Sequence, residues 1–223
     1  MTNGALFHGI THIAFDLDGL LVDSERLWQQ VEKKIIADSG LAWSEETTRK
    51  QVGMRLDEAA AVMVADYGLE IKAEALSQKI LDGMLALIAV SDMPLMPYAD
   101  EMVRGARAAG LIVGVASSSP PEYIAEMMKR CGWDEIMAVT VSGYHVERGK
   151  PAPDIYLRAA QLMGCEPGQC LALEDSVNGA RAAYAAGLRS VAIPGEGFKH
   201  GEFDGFTHAV LPSLKDVLDL LHQ

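Results

Sequence analysis

The sequence predicts an α/β protein whose parallel sheet is interrupted by a smaller, all-helical insertion. Three observations predict it. Short apolar, β-branched runs alternate with amphipathic segments over most of the chain. Residues 44 to 91 instead read as helix after helix, rich in Ala, Leu, Met and Glu, with no strand signal. The stretch "DMPLMPYAD", with two prolines three apart, marks a stiff junction between the two regimes.

Taken in order, "THIAFD" is the first strand, ending in Asp16, and a turn follows at Gly19. From about Ser24 the chain has helical periodicity: Leu27, Val31, Ile35 and Ile36 share one face, and Gly40 stops the helix. Beyond the insertion, a helix over about 98 to 109 precedes "LIVGVASS". Another, over about 121 to 131, precedes "AVTVS". A helix from about Asp154 precedes "CLALED", and one from about Val177 precedes "RSVAIP". "THAVL" and a terminal helix from about Ser213 complete the pattern. Apolar strands separated by helices build βαβ units, with the sheet covered on both faces. The expectation is a Rossmann-like parallel sheet core from residues 1–25 and 94–223, with a small all-helical cap domain from 26–93. The two crossings, near Arg26 and Pro94, are expected to lie side by side as a hinge over a cleft.

Composition narrows the function. The chain has 223 residues and a formal net charge of −12, which argues against nucleic acid and anionic membrane surfaces as partners. An anionic substrate would therefore need local positive charge from a metal, a Lys or helix N-termini. Cys131, Cys165 and Cys170 are odd in number and widely spaced, so neither a disulfide framework nor a zinc pattern is expected. "MTNGALFHGITH" has no basic start and no long apolar run, unlike a signal peptide. No stretch is apolar enough for a membrane span. A cytoplasmic monomer is the expected setting.

In a parallel α/β sheet, ligands bind beyond the carboxyl ends of the strands. Those ends carry Asp16 and Asp18, then Ser117, Ser118 and Ser119, then Lys150 after a short loop, then Glu174 and Asp175. Four acids that close repel one another unless a cation relieves them. Hard oxygen donors without Cys or His favour Mg²⁺ over zinc. Such an ion leaves room for a phosphate oxygen. Lys150 and the Ser117 hydroxyl would contact the others, helped by backbone N–H groups around Gly19 and Ser118. Asp16 could then attack phosphorus to give an aspartyl-phosphate. Asp18 would protonate the leaving oxygen and later deprotonate the hydrolytic water.

"DLDGLLVDSE", "ASSS", "GKPAPDIY" and "LEDSVNGARAA" resemble, in order and spacing, the four motifs of the haloacid dehalogenase superfamily. The likeness is to its phosphatase branch with a helical cap after the first motif, and it covers essentially the whole chain. It implies Asp16 as nucleophile, Asp18 as acid/base, and Ser117 and Lys150 on phosphate. It also implies Mg²⁺ held by the Asp16 carboxylate, the Asp18 backbone carbonyl and Asp175. Glu174 matches a position that in some members binds the metal and in others supports it from behind. "DLDGLLVDSERLW" and "GMRLDE" look like the sugar-phosphate phosphatases of the family, so the expected partner is a small phosphorylated metabolite, a sugar or sugar-alcohol phosphate.

Phosphosugar mutases similar to β-phosphoglucomutase carry a His twelve residues beyond the nucleophile, where this chain has Trp28. Trp cannot shuttle a proton, so the mutase is the runner-up. C–halogen hydrolysis needs no second Asp and no metal, and a non-catalytic binding protein would have lost part of the acid set. In the cap, Arg55 either lies in solvent or reaches the cleft to contact a second anionic or hydroxyl group. The second reading, with Ser118 beside it on substrate, is carried forward. Trp28 either packs or lines the pocket. Asp23 and Ser24 are expected to cap the helix entering the second lobe. No His is expected to be catalytic.

Overall fold

The computed structural model describes residues 6–51, 53–92, 95–195 and 197–222. Strand β1 (His12–Phe15) is buried along its whole length. The chain then leaves for four helices: α1 (Glu25–Asp38), α2 (Glu45–Gln51), α3 (Leu56–Tyr67) and α4 (Ala73–Val90). It returns through α5 (Ala99–Ala108) to β2 (Ile112–Ser117), α6 (Pro121–Cys131) and β3 (Val139–Ser142). Then follow α7 (Asp154–Met163), β4 (Cys170–Glu174), α8 (Val177–Ala185), β5 (Arg189–Ala192), β6 (Ala209–Val210) and α9 (Leu214–Leu221). The elements read from periodicity are therefore present, in the expected order.

The strands pair in parallel in the order β3-β2-β1-β4-β5-β6. From β1 the chain steps outward to β2 and β3. It then crosses back to β4 on the other side. The reversal falls beside β1, so the loops leaving β1, β2 and β4 diverge and open a crevice. Phe15 lies level with Val115 and Leu173, so Asp16 emerges beside the ends of both neighbouring strands.

Side-chain size sorts the two sheet faces. Ile13, Phe15, Val113, Val115, Leu171 and Leu173 point to one core, together with α5, α6 and α9. The alternate positions Ala14, Ala116, Cys170 and Ala172 point to the other. There they are small, which lets α7 and α8 pack close with Ile155, Tyr156, Ala159 and Ala182. This closeness brings the α7 side of the site within hydrogen-bonding reach of the strand ends.

The helices of the insertion pack on one another and join the same hydrophobic cluster as the first sheet face. On α4, Leu76, Ile80, Met84 and Ile88 recur every fourth residue and are fully buried. They join Ile36 of α1 and Met63 of α3. The outgoing and returning segments run together: the Met96 N–H donates to the Leu21 carbonyl at 3.0 Å, and Val22 pairs with Leu95. Met93 and Pro94, named at the expected return, lie outside the described residues. Among the described residues, no helix is long and apolar enough to cross a membrane.

The small-residue face makes a specific demand. Ala172→Leu should overpack the gap under α7 and α8 and lower the unfolding free energy by about 1–3 kcal/mol. Urea unfolding followed by circular dichroism measures it; an unchanged midpoint would mean that the face is loosely packed.

Candidate active site

The Asp16 N–H still donates to the Leu173 carbonyl at 3.0 Å, so the backbone stays in the sheet through this residue. Strand alternation then puts Asp16 on the face of Ala14, and Glu174 on the face of Cys170 and Ala172. Both carboxylates look toward α7. Lys150, from the loop between β3 and α7, meets them there. Its ammonium lies 2.6 Å from Asp16 Oδ1 and 2.6 Å from Glu174 Oε1. The Lys150 side chain is only 2% exposed, and Glu174 is fully buried. Tyr156, in the first turn of α7, donates its hydroxyl to the same Glu174 oxygen, and its ring centroid lies 5.3 Å from the ammonium. Burial alone would lower the affinity of Lys150 for its proton, but Asp16 and Glu174 overrule it and raise the pKa.

Asp175 begins the loop to α8 and points to the other side of Asp16. Two glycines make these positions possible. A Cβ on Gly19, where φ is +83°, would lie 2.3 Å from Asp175 Oδ2. A Cβ on Gly179 would lie about 2 Å from the Glu174 carboxylate, which the start of α8 therefore admits only beside glycine. Carboxylate oxygens of Asp16, Glu174 and Asp175 all fall within 4.8 Å of one another, and all three residues are buried. Burial pushes the Asp16 carboxyl up to about 7, against the pull of Lys150 and with Glu174 adding to the rise. Burial, with the charges of Asp16 and Glu174, holds Asp175 far above the carboxylate range. Three carboxylates face one ammonium, Lys150; the set is short of positive charge, offers only hard oxygens, and fits a divalent cation such as Mg²⁺. Asp16 and Asp175 line the cavity, whereas Glu174 turns away to Lys150 and Tyr156.

Asp18 is the focus of a separate network. Its Oδ1 accepts from Ser24 Oγ at 2.5 Å, Tyr123 Oη at 2.7 Å and Trp28 Nε1 at 3.3 Å. Its Oδ2 accepts from Ser119 Oγ at 2.6 Å and Ser117 Oγ at 3.3 Å. The expected role of Ser24 is corrected here. It sits at the N-cap of α1 with a helical backbone, φ −90° and ψ −15°, and its hydroxyl makes no cap bond. Side-chain capping calls for an extended backbone, so the hydroxyl is left for Asp18. A second correction concerns Gly19, whose N–H donates to the Val22 carbonyl at 2.9 Å within its own turn. Tyr123 and Tyr156 were not singled out in the sequence. Their signal was position: each lies in the first turn of a helix whose N-terminus faces the strand ends.

The cap closes the site. A cavity of about 150 Å³ lies between the lobes, walled by Asp16, Asp18, Ser117, Ser118, Lys150 and Asp175 below, and by α1 and α2 above. Ser118 Oγ donates to the Gly53 carbonyl at 2.9 Å, a bond from core to cap. The Asp57 N–H donates to Tyr144 Oη at 3.1 Å, a second one. Arg55 is placed differently from the expectation. Its guanidinium pairs with Glu58 at 3.1 Å and Asp57 at 3.4 Å, lies 5.8 Å from the Tyr144 ring centroid, and is not among the lining residues. Its neighbours on α3 hold it, so it clamps cap to core. Trp28 both lines the cavity and packs on Tyr123, ring centroids 5.0 Å apart.

Comparison with known proteins agrees with this geometry. The chain is 33% identical over 186 residues to hexitol phosphatase B of Escherichia coli K12, covering 81% of this chain and 82% of that one. It is 32% identical over 183 residues to the bifunctional riboflavin kinase/FMN phosphatase of Arabidopsis thaliana, covering 82% of this chain but spanning only 48% of that protein. Among solved structures, CbbY from Rhodobacter sphaeroides in complex with phosphate superposes with a TM-score of 0.85 at 28% identity, over 96% of this chain and 100% of that one. A mutant of that protein has been solved with xylulose-1,5-bisphosphate, TM-score 0.82 at 28% identity, over 92% and 95% of the two chains. The family model for haloacid dehalogenase-like hydrolases matches residues 10–187, from the start of β1 past the end of α8. The chain belongs to the haloacid dehalogenase-like hydrolases.

Proposed function

We propose that this protein is a Mg²⁺-dependent phosphatase that hydrolyses a small phosphorylated metabolite, a sugar or sugar-alcohol phosphate, through an aspartyl-phosphate on Asp16. The observation that carries the reading is the meeting of Asp16, Lys150 and Asp175 in one cavity, the carboxylate oxygens within 4.8 Å. The relationship to a hexitol phosphatase supports the substrate class.

The chemistry follows from the residues. Lys150 and the Ser117 hydroxyl hold the phosphate oxygens, with backbone N–H groups around Ser118, whose own hydroxyl is taken by the Gly53 carbonyl. Mg²⁺ held by Asp16 and Asp175 supplies the positive charge without which a carboxylate is repelled by a phosphate dianion. An Asp16 oxygen bonds to phosphorus as the ester P–O bond breaks, and Asp18 gives its proton to the departing oxygen. Asp18, now a carboxylate, takes a proton from water as the water oxygen bonds to phosphorus. The acyl-phosphate bond breaks and Asp16 is restored. Glu174 is a positioning residue: it fixes Lys150 through the 2.6 Å contact and is itself fixed by Tyr156. Most of the catalysis is placement and charge, as loose phosphoryl-transfer transition states require. Against a mutase stands Trp28, whose indole donates to Asp18 and has no titratable proton to pass on.

Three outcomes test this. Asp16→Asn should lower aryl-phosphate turnover by at least about a thousandfold with the fold retained; parental turnover would remove Asp16 as nucleophile. Asp18→Asn should slow alkyl phosphates by about 10²–10⁴, and p-nitrophenyl phosphate less, because a good leaving group needs no acid. Equal losses on both would contradict the acid role. The third concerns pH. The folded Asp16 carboxyl holds its proton up to about 7, above the ordinary 3.8. In metal-free protein its contribution to stability is therefore fully present below the unfolded pKa and is lost as pH rises through about 7. A cation replaces that proton. The rise in Tm on adding Mg²⁺ should thus be larger at pH 8 than at pH 5.5, and EDTA should abolish activity. A pH-independent Tm shift would contradict the shared ion.

A further inference from the structure

The two ends of the cavity are chemically unlike. Lys150 is the only Lys or Arg among the residues that line it. It sits at the phosphate end. The cap side is built by α1 and α2: Glu25, whose charge acts on Asp175, and Trp28, which donates to Asp18, stand nearest the acids, and Gln29 and Glu32 follow along the same face of α1, with Gln51 at the end of α2. Glu32 and Gln51 are 8% and 9% exposed. Among the described residues, neither has a hydrogen-bond or ion-pair partner. Their polar atoms are not among the fully buried ones that lack a partner, so the carboxyl and the amide keep access to the cavity that both line. Both border the cavity that holds Asp16 and Lys150. Burial, and then the charge of Glu25, push the Glu32 carboxyl up to about 7. The nearest ammonium on α1, Lys33, is exposed; it donates to Gln29 Oε1 at 3.1 Å and lies over the Trp43 ring at 5.3 Å, outside the cavity.

We propose that Glu32 and Gln51 form a distal recognition site that takes hydroxyl groups of an uncharged substrate body and rejects a second phosphate or a carboxylate. The inference rests on the phosphatase reading and narrows its substrate class to monophosphates of polyhydroxylated compounds. A carboxylate and an amide together can accept from and donate to vicinal hydroxyls. A second phosphate at the same place would bring its negative charge beside the Glu32 carboxylate, and among the described residues Lys150, at the phosphate end, is the only Lys or Arg that lines the cavity. The sugar-alcohol body of a hexitol phosphate meets these demands; a ketose bisphosphate, as in the solved CbbY mutant complex, does not.

The test is steady-state kinetics with Mg²⁺ on p-nitrophenyl phosphate and on two pairs of compounds. The pairs are sorbitol 6-phosphate against xylulose 1,5-bisphosphate, and fructose 6-phosphate against fructose 1,6-bisphosphate. The expected result is a kcat/KM at least about tenfold higher for the monophosphate in each pair. Glu32→Gln keeps shape and hydrogen bonding but removes the charge, and should narrow that ratio at least about fivefold by raising kcat/KM for the bisphosphate. Gln51→Glu adds charge at the same end, should widen the ratio, and serves if the first variant does not fold. Turnover of p-nitrophenyl phosphate combined with equal or better use of bisphosphates, or a ratio that neither variant moves, overturns the distal site and leaves the phosphatase reading standing. Absence of phosphate release from every compound overturns both.

Discussion

The site depends on one buried ammonium. Lys150 is sealed from water and touches both Asp16 and Glu174 at 2.6 Å. Without it, three buried carboxylates would face one another across less than 5 Å with nothing to balance them. With it, one ammonium still faces three carboxylates, and burial together with their mutual repulsion raises the Asp16 and Asp175 carboxyls. One lysine therefore makes the apo fold tolerable and leaves a deficit that a divalent cation is suited to fill. The geometry behind it is ordinary sheet geometry. The period of two along β1 and β4 points Asp16 and Glu174 to the same face, and alanines behind them let α7 bring Tyr156 and the Lys150 loop within reach.

The structure assigns different work to residues adjacent in sequence. Glu174 and Asp175 are consecutive, yet one orients Lys150 from behind the cavity and the other lines it. Asp16 and Asp18 are two apart, yet Asp16 meets the buried ammonium while Asp18 is gripped by hydroxyls from β2, α6 and the first turn of the cap connection. Ser24 and Trp28 tie Asp18 to α1, and Tyr123 ties it to α6, so the proposed acid contacts the first helix of the insertion directly. The cap also carries chemistry of its own on the far wall, where Glu32 and Gln51 replace the cations that anionic substrates would need.

Much of this was legible in the sequence. Strand and helix order followed from hydrophobic period, and the polar residues closing each strand named Asp16, Asp18, Ser117, Lys150, Glu174 and Asp175, which the structure brings around one crevice. What was not legible depended on tertiary direction. Ser24 has the composition of a cap but a backbone that does not cap. Arg55 looked free to reach the cleft, but Glu58, Asp57 and Tyr144 hold it at the cap–core seam. Glu32 was not singled out, because the apolar stripe of Leu27, Val31, Ile35 and Ile36 says where the core lies and not where a cavity cuts into the polar face. Tyr123 and Tyr156 were not singled out in the sequence, and only the crossing of helix and strand places their hydroxyls on acids.

The account's central claim is that Asp16 is a nucleophile that shares one divalent cation with Asp175. A crystal structure with Mg²⁺ and beryllofluoride tests it most directly. The account predicts beryllium bonded to an Asp16 oxygen and one ion within about 2.1 Å of carboxylate oxygens of both Asp16 and Asp175, with Lys150 on a fluoride. An ion bound elsewhere, or beryllofluoride attached to another residue or to none, would contradict it.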